Sequence, residues 1–248
     1  MSVLLKGALV EFMPTFLVPL PNVIVFQYNP ESLTHTWTQP EAAPPPPPHA
    51  GRSAADGAPT QNNPMAVKGM PGESFSFTIA MDANDEIADG SAATAAIAEV
   101  SGVYSRLAAL EMLLYPSTGG TGGLLGAVSA AAASALTGAQ SGTTTAVPAS
   151  TMPVVLFIWG PGRIVPVRVT GLTITEKLYN ETLSPTHAEA QVSLRVLTPA
   201  ELNAVKPDED VLANLANAAY CYTLTLRQGL AVANLANAAE SIIGMIPH

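Results

Sequence analysis

The residues able to do chemistry in this chain are few, and their spacing argues against a catalytic centre. The densest group is acidic: Met81-Asp82-Ala83-Asn84-Asp85-Glu86-Ile87-Ala88-Asp89-Gly90. Asp82, Asn84 and Glu86 stand at alternate positions, as the first ligands of an EF-hand calcium loop do. Such a loop needs Gly at its sixth position for the sharp turn and a bidentate Glu at its twelfth. Ile87 and Ala93 stand there instead. Asp82, Asn84 and Glu86 are thus weak metal candidates. The plainer reading is a loop whose acids precede a helix, where the helix dipole favours negative charge.

Nucleophile and phosphate motifs fail in the same way. Gly72-Glu73-Ser74-Phe75-Ser76 lacks the second Gly of a nucleophile elbow. Gly119-Gly120-Thr121-Gly122-Gly123 has no Lys-Ser/Thr after it and follows a helical pattern rather than a strand. It reads as a flexible linker, neither a P-loop nor a dinucleotide fingerprint. His35, His49, His187 and His248 are scattered, and no pair has metal-ligand spacing. His35 and His187 read as surface or hydrogen-bonding residues, and Trp37 and Trp159 as core or interface anchors. No catalytic residue, cofactor or enzymatic activity is expected.

Composition narrows the partners. The chain has 248 residues, of which 48% are apolar and only 12% charged, with a net charge of −9. Much of the apolar content is Ala, which adds little burial energy. Nucleic-acid binding is driven by Lys and Arg neutralising phosphates; ten basic residues spread along an acidic chain make no such patch. The lone Cys221 cannot form an internal disulfide, which favours a reducing compartment. The first residues carry no basic-then-apolar leader pattern. The most apolar long stretch, Leu124 to Leu136, is too short and too Ala-rich to span a bilayer, so no membrane insertion is expected.

Two low-complexity segments interrupt the chain. Residues from about 40 to 72 include five consecutive prolines, Pro44 to Pro48, and residues 117–151 are rich in Gly, Ser, Thr and Ala. Both read as insertions; the first should be an extended, solvated loop, and the second has room for a short helix near Leu124 to Leu136. Between them, Ile97, Val100, Tyr104, Leu107, Leu110 and Leu114 recur at helical steps, which predicts one amphipathic helix over Ala92 to Tyr115 ending at Pro116. Phe75, Phe77, Ile79 and Met81 alternate with polar or small residues as a half-buried strand does. Val23 to Tyr28 and the apolar run Pro153 to Trp159 are further strand candidates. Gly160-Pro161-Gly162 is a turn. Val165, Val167 and Val169 share one parity, while Leu172 and Ile174 share the other. That slip predicts a β-bulge near Gly171. Ala188, Ala190, Val192, Leu194 and Val196 mark the cleanest strand. Thr198-Pro199-Ala200-Glu201 is a capping box. Val211 to Ile246 then reads as largely helical, with Ala-Asn-Leu-Ala-Asn-Ala-Ala at both 213–219 and 233–239.

The order of these pieces resembles the contractile-injection-system tube-protein family. The resemblance rests on Phe26-Gln27-Tyr28-Asn29-Pro30-Glu31-Ser32-Leu33 leading into a polar-aromatic strand through Trp37. The strand ending at Asp82, the helix ending at Pro116, the run into Trp159-Gly160 and the alternating strand from Ala188 then follow in order. It covers roughly residues 1 to 200 outside the two insertions. The Gly and Arg of the family's closing hairpin are missing, and the LysM module of many members is replaced by the Ala/Asn helix, so a wall-binding role does not carry over.

The resemblance implies a β-rich (α+β) fold: a tail-tube-like β-barrel or sandwich with one flanking helix over residues 1–200, and a helical extension over 201–248. It implies a structural ring subunit of the baseplate, a tube initiator joining the spike hub to the inner tube. Expected partners are copies of itself in a six-fold ring, the spike hub, the inner tube protein and other baseplate subunits. Assembly is expected in the cytoplasm, in an injection particle that can be released outside the cell. Phe26, Asn29, Pro30, Trp159, Gly160 and Ala188 are the motif positions; Trp37, Leu212, Leu215 and Leu235 are the interface candidates. The alternatives are the inner tube subunit itself and an unrelated β-sandwich binding or hydrolase domain.

Overall fold

A computed structural model describes residues 5–12, 21–42, 67–89, 91–115, 152–205 and 211–243. Its centre is a seven-stranded antiparallel sheet. The strands are β1 (Ala8–Phe12), β2 (Pro21–Val25), β3 (Leu33–Thr38), β6 (Gly72–Asp82), β7 (Val155–Ile158), β8 (Ile164–Tyr179) and β9 (Pro185–Val196), in the spatial order β2-β1-β7-β8-β9-β6-β3. A separate two-residue ladder, β4 (Glu41–Ala42) with β5 (Val67–Lys68), pins together the two ends of the Pro-rich insertion. The insertion's proline run and the Ala-rich segment at 117–151 lie outside the described residues.

The alternating patterns do what their parity requires. Phe75, Phe77, Ile79 and Met81 on β6 and Ala188, Ala190, Val192, Leu194 and Val196 on β9 all point into the core. The phase slip on β8 is a register shift between Val169 and Gly171, with the Thr170 hydroxyl donating to the Ser193 carbonyl.

The sheet curls strongly. Two strands, β8 and β9, lie between β7 and β6, so a flat sheet would hold β7 and β6 about 14 Å apart. Yet the Phe157 ring on β7 stacks on Phe77 of β6 at 5.4 Å and meets Phe75 at 5.3 Å. The inward face thus wraps around its own aromatic side chains. The sheet is not hydrogen-bonded shut; among the described residues β2 and β3 each have one unpaired side.

The helical cover departs from the predicted single helix. It consists of α1 (Ala83–Asp89), α2 (Ala92–Ser101) and α3 (Tyr104–Met112). The acidic segment expected as a loop is itself helical, with Asp85 and Glu86 in the first turn of α1. The break between α2 and α3 is at Gly102, whose φ is +57°. A Cβ there would sit 2.1 Å from the Pro185 carbonyl oxygen, and the next amide, Val103, donates to that same oxygen at 2.8 Å. Only Gly permits that approach. The kink also changes the buried face: Val103, Leu107, Leu110 and Leu113 enter the core, whereas Ile97, Val100 and Tyr104 are exposed.

Beyond β9, the capping box forms as expected. The Thr198 amide donates to Glu201 Oε2 at 2.9 Å and the Glu201 amide to Thr198 Oγ1 at 3.4 Å, opening α4 (Pro199–Val205). The long α5 (Val211–Ile243) follows. Among the described residues, no helix is long and apolar enough to cross a membrane.

Candidate functional site

The segment Phe26 to Ser32 is more than the stopped end of a strand. β2 and β3 are the two outermost strands, and this segment carries the chain from one to the other across the open side of the sheet. Its residues fasten it to several elements. Phe26 is buried against Phe77 at 5.4 Å and Trp159 at 6.3 Å. The Gln27 amide reads one backbone residue twice: its Nε2 donates to the Asp82 carbonyl at 2.8 Å, and its Oε1 accepts from the Asp82 N–H at 2.9 Å. Those groups lie at the end of β6, 55 positions away in sequence. The Tyr28 hydroxyl donates to Asp85 on α1. Asn29 accepts from the Gly7 N–H at 2.9 Å and donates to the Leu5 carbonyl at 2.8 Å, clamping the entry to β1. Pro30, half-buried, turns the chain toward β3.

Gly7 shows how tight this seam is. A Cβ at Gly7 would lie 2.7 Å from Phe26 and 2.8 Å from Trp159. Trp159, half-buried, leads into the turn at Gly160, whose φ of +68° is the left-handed conformation a glycine adopts freely. Ala188 is fully buried where β9 meets Met81 of β6. Phe26, Gln27, Tyr28 and Asn29 therefore tie the strap between the two outermost strands to β6, α1 and the entry of β1.

The three acidic candidates do not converge on a metal site. Asp82 Oδ1 accepts from the Asn84 N–H at 2.8 Å, as a cap on the entry to α1. Asp82 Oδ2 lies 3.4 Å from His187 Nδ1, and Glu86 pairs with Arg106 of α3 at 2.8 Å. Among the described residues, no group of three acids, histidines or cysteines could hold a metal ion.

What remains exposed is strand edge and apolar surface. β2 shows Val23 and Val25, and β3 shows Trp37, 49% exposed. β7 pairs with β8 only from Ile164 to Val167, so β8 from Arg168 onward has no described strand on that side. The β8–β9 hairpin ends in exposed Leu178, Tyr179 and Leu183, and both leucines have positive φ (56° and 62°). A non-glycine residue in that region costs about 1–2 kcal/mol. Asn180 shapes this tip, its Oδ1 accepting from the Thr182 and Ser184 amides at 3.0 and 2.8 Å. On α5, Leu215 is partly exposed and Leu235 is 67% exposed; the side chain of Leu212 lies outside the described residues.

One cluster was not singled out by motif reasoning. Glu73 occupies the core-facing parity of β6 and is only 5% exposed. Arg227 of α5 grips it with both guanidinium nitrogens, at 2.9 and 2.5 Å. His35 Nε2 of β3 lies 2.8 Å from the same carboxylate. One helical turn earlier, the buried Thr223 hydroxyl accepts from the Ile164 N–H at 3.1 Å and donates to the Ile164 carbonyl at 2.7 Å. β9 ends at Val196, opposite Val167, so Ile164 has no described strand on that side; Thr223 satisfies groups a strand would otherwise take. No protein-family model matches this chain, and no curated protein matches it.

Proposed function

We propose that this chain is a non-enzymatic ring subunit of a contractile injection system baseplate, a tube initiator joining the spike hub to the inner tube. The observation that carries the reading is the run of edges left unpaired among the described residues: the outer sides of β2 and β3, and the distal half of β8 with its apolar tip. Edges of this kind promote pairing with other chains, and proteins that do not use them blunt them with Lys, Pro or bulges. β3 reads Leu-Thr-His-Thr-Trp-Thr and carries neither Lys nor Pro. Two different edges on one subunit suit head-to-tail contacts, which form a ring when the rotation closes. The tail-tube-like form of the sheet, a barrel or sandwich in which the Phe26 to Ser32 strap spans the open side, belongs to the same proposal. So do the distal turns of α5, where Leu230 and Leu235 are exposed.

The test is negative-stain microscopy of the full chain, alone and co-expressed with a spike hub and an inner tube protein of such a system. Six-fold rings seated on the hub are expected. Long tubes formed by this chain alone would assign it to the inner tube. A monomer that joins neither hub nor tube would sink the proposal.

A further inference from the structure

The cluster around Glu73 gathers more positive than negative charge. Both oxygens of the Glu73 carboxylate are taken by Arg227, and Oε1 is shared with His35 Nε2. The Arg163 guanidinium, from the turn before β8, lies 5.2 Å over the Phe75 ring, and that of Arg227 lies 5.0 Å over the Trp37 ring. The His35 ring is stacked on Phe75 at 4.4 Å and sits 5.1 Å from Trp37. Arg227 makes the last ion pair between α5 and the sheet among the described residues. The described side chains from Gln228 to Leu235 are all exposed. The earlier turns are held by uncharged contacts: buried Ala216 and Ala219, the Thr223 hydroxyl on Ile164, and the Tyr222 hydroxyl on the Pro161 carbonyl at 2.9 Å.

We propose that His35, Glu73, Arg163 and Arg227 form a pH-sensitive latch. With His35 neutral, the latch holds α5 on the sheet; protonation of His35 frees the helix from about Leu224 onward. In the neutral state, His35 donates its Nε2–H to Glu73, and one carboxylate faces two guanidiniums. Protonation places three cations around that single, buried carboxylate, beside the Phe75 and Trp37 rings. The remaining ionisable neighbour, Tyr220 of α5, supplies no compensating charge: burial and Glu73 raise its hydroxyl above the usual value, so it stays protonated.

The sign follows from the proton balance. Burial, aided by Arg163 and Arg227 and opposed by Glu73, holds the His35 pKa below its ordinary 6.5. The latched state therefore binds protons less readily than the released state. Its extra stability is fully present above about 6.5 and is lost as pH falls through the lower, latched value.

Hydrogen exchange of the full chain, corrected for the intrinsic pH dependence, tests this between pH 7.5 and 5.0. Protection of residues 224–235 should fall by up to about tenfold per pH unit as the pH drops from about 6.5 toward the latched pKa, the slope of one linked proton. Protection of β9 and α3 should hold. The His35→Gln variant keeps an N–H donor for Glu73 without a titrating group, and its α5 protection should not change with pH. An unchanged pH response in His35→Gln, or no response in the parent chain, would overturn the latch. An NMR titration of the unaltered chain gives a second reading independent of any variant. The α5 amides should shift with the same midpoint as the His35 ring, and separate midpoints would contradict the proposal.

Discussion

Two helices cover the curled sheet by different physical means. α3 inserts Leu107 and Leu110, with Leu113 just beyond it, into the aromatic core; all three are buried and bring no charge. α5 covers the sheet near Ile164 and Glu73 with small alanines, the half-buried Tyr220, two hydroxyls and one guanidinium. An apolar cover is insensitive to pH and salt and costs most to remove. An ionic cover depends on every partner keeping its charge, because removing one leaves another charge buried and unpaired. The comparison teaches that the α3 side is built to stay closed, whereas the α5 side is held by contacts that solution conditions can loosen.

Substitutions can break that contrast. Leu107→Ala should be the most damaging, costing about 3–5 kcal/mol from lost burial and the cavity left behind, with no pH dependence between 5 and 8; thermal or urea unfolding at several pH values measures both. Arg227→Ala should cost less, about 2–3 kcal/mol. Breaking a buried pair ordinarily costs more, but the Arg227 side chain keeps 29% exposure. The double variant Glu73→Leu/Arg227→Leu should recover most of that loss, since apolar residues of similar size often replace a buried ion pair without penalty. A double variant as weak as the sum of two singles would show that the two residues are not coupled. Gln27→Ala should have the smallest effect, about 1–2 kcal/mol, the cost of stranding the Asp82 N–H and carbonyl. Its mark should be faster amide exchange at Asp82 and across Phe26 to Ser32, with α5 unchanged.

Much of the sheet was legible because its signals are local. The alternation on β6 and β9, the bulge near Gly171 and the Thr198 capping box depend on residues within a few positions of one another. The split between α2 and α3 was not legible. Gly102 looks tolerable inside a helical pattern, and its reason for being there, the Pro185 carbonyl, lies 83 positions away. The role of Phe26 to Pro30 was half legible. Its apolar-then-Asn-Pro pattern marked a strand ending, but that Gln27 would hold Asp82 depends on where the chain returns. The Glu73–Arg227 pair did leave a trace. Glu73 stands on the same parity as Phe75, Phe77, Ile79 and Met81, and Arg227 is the sole charged residue from Val211 to Ala239. A lone charge on an inward face and a lone opposite charge in a helix each ask for a partner; only the fold shows that they find each other.

The proposal that the edges left unpaired among the described residues are closed by copies of the chain is tested most directly by native mass spectrometry of the full chain mixed with a spike hub protein. The account predicts a species containing six copies of the 25.5 kDa chain, whose edge amides in β3 and distal β8 are protected relative to the free subunit. A single copy under all conditions, with those amides exchanging as in the free chain, would contradict it.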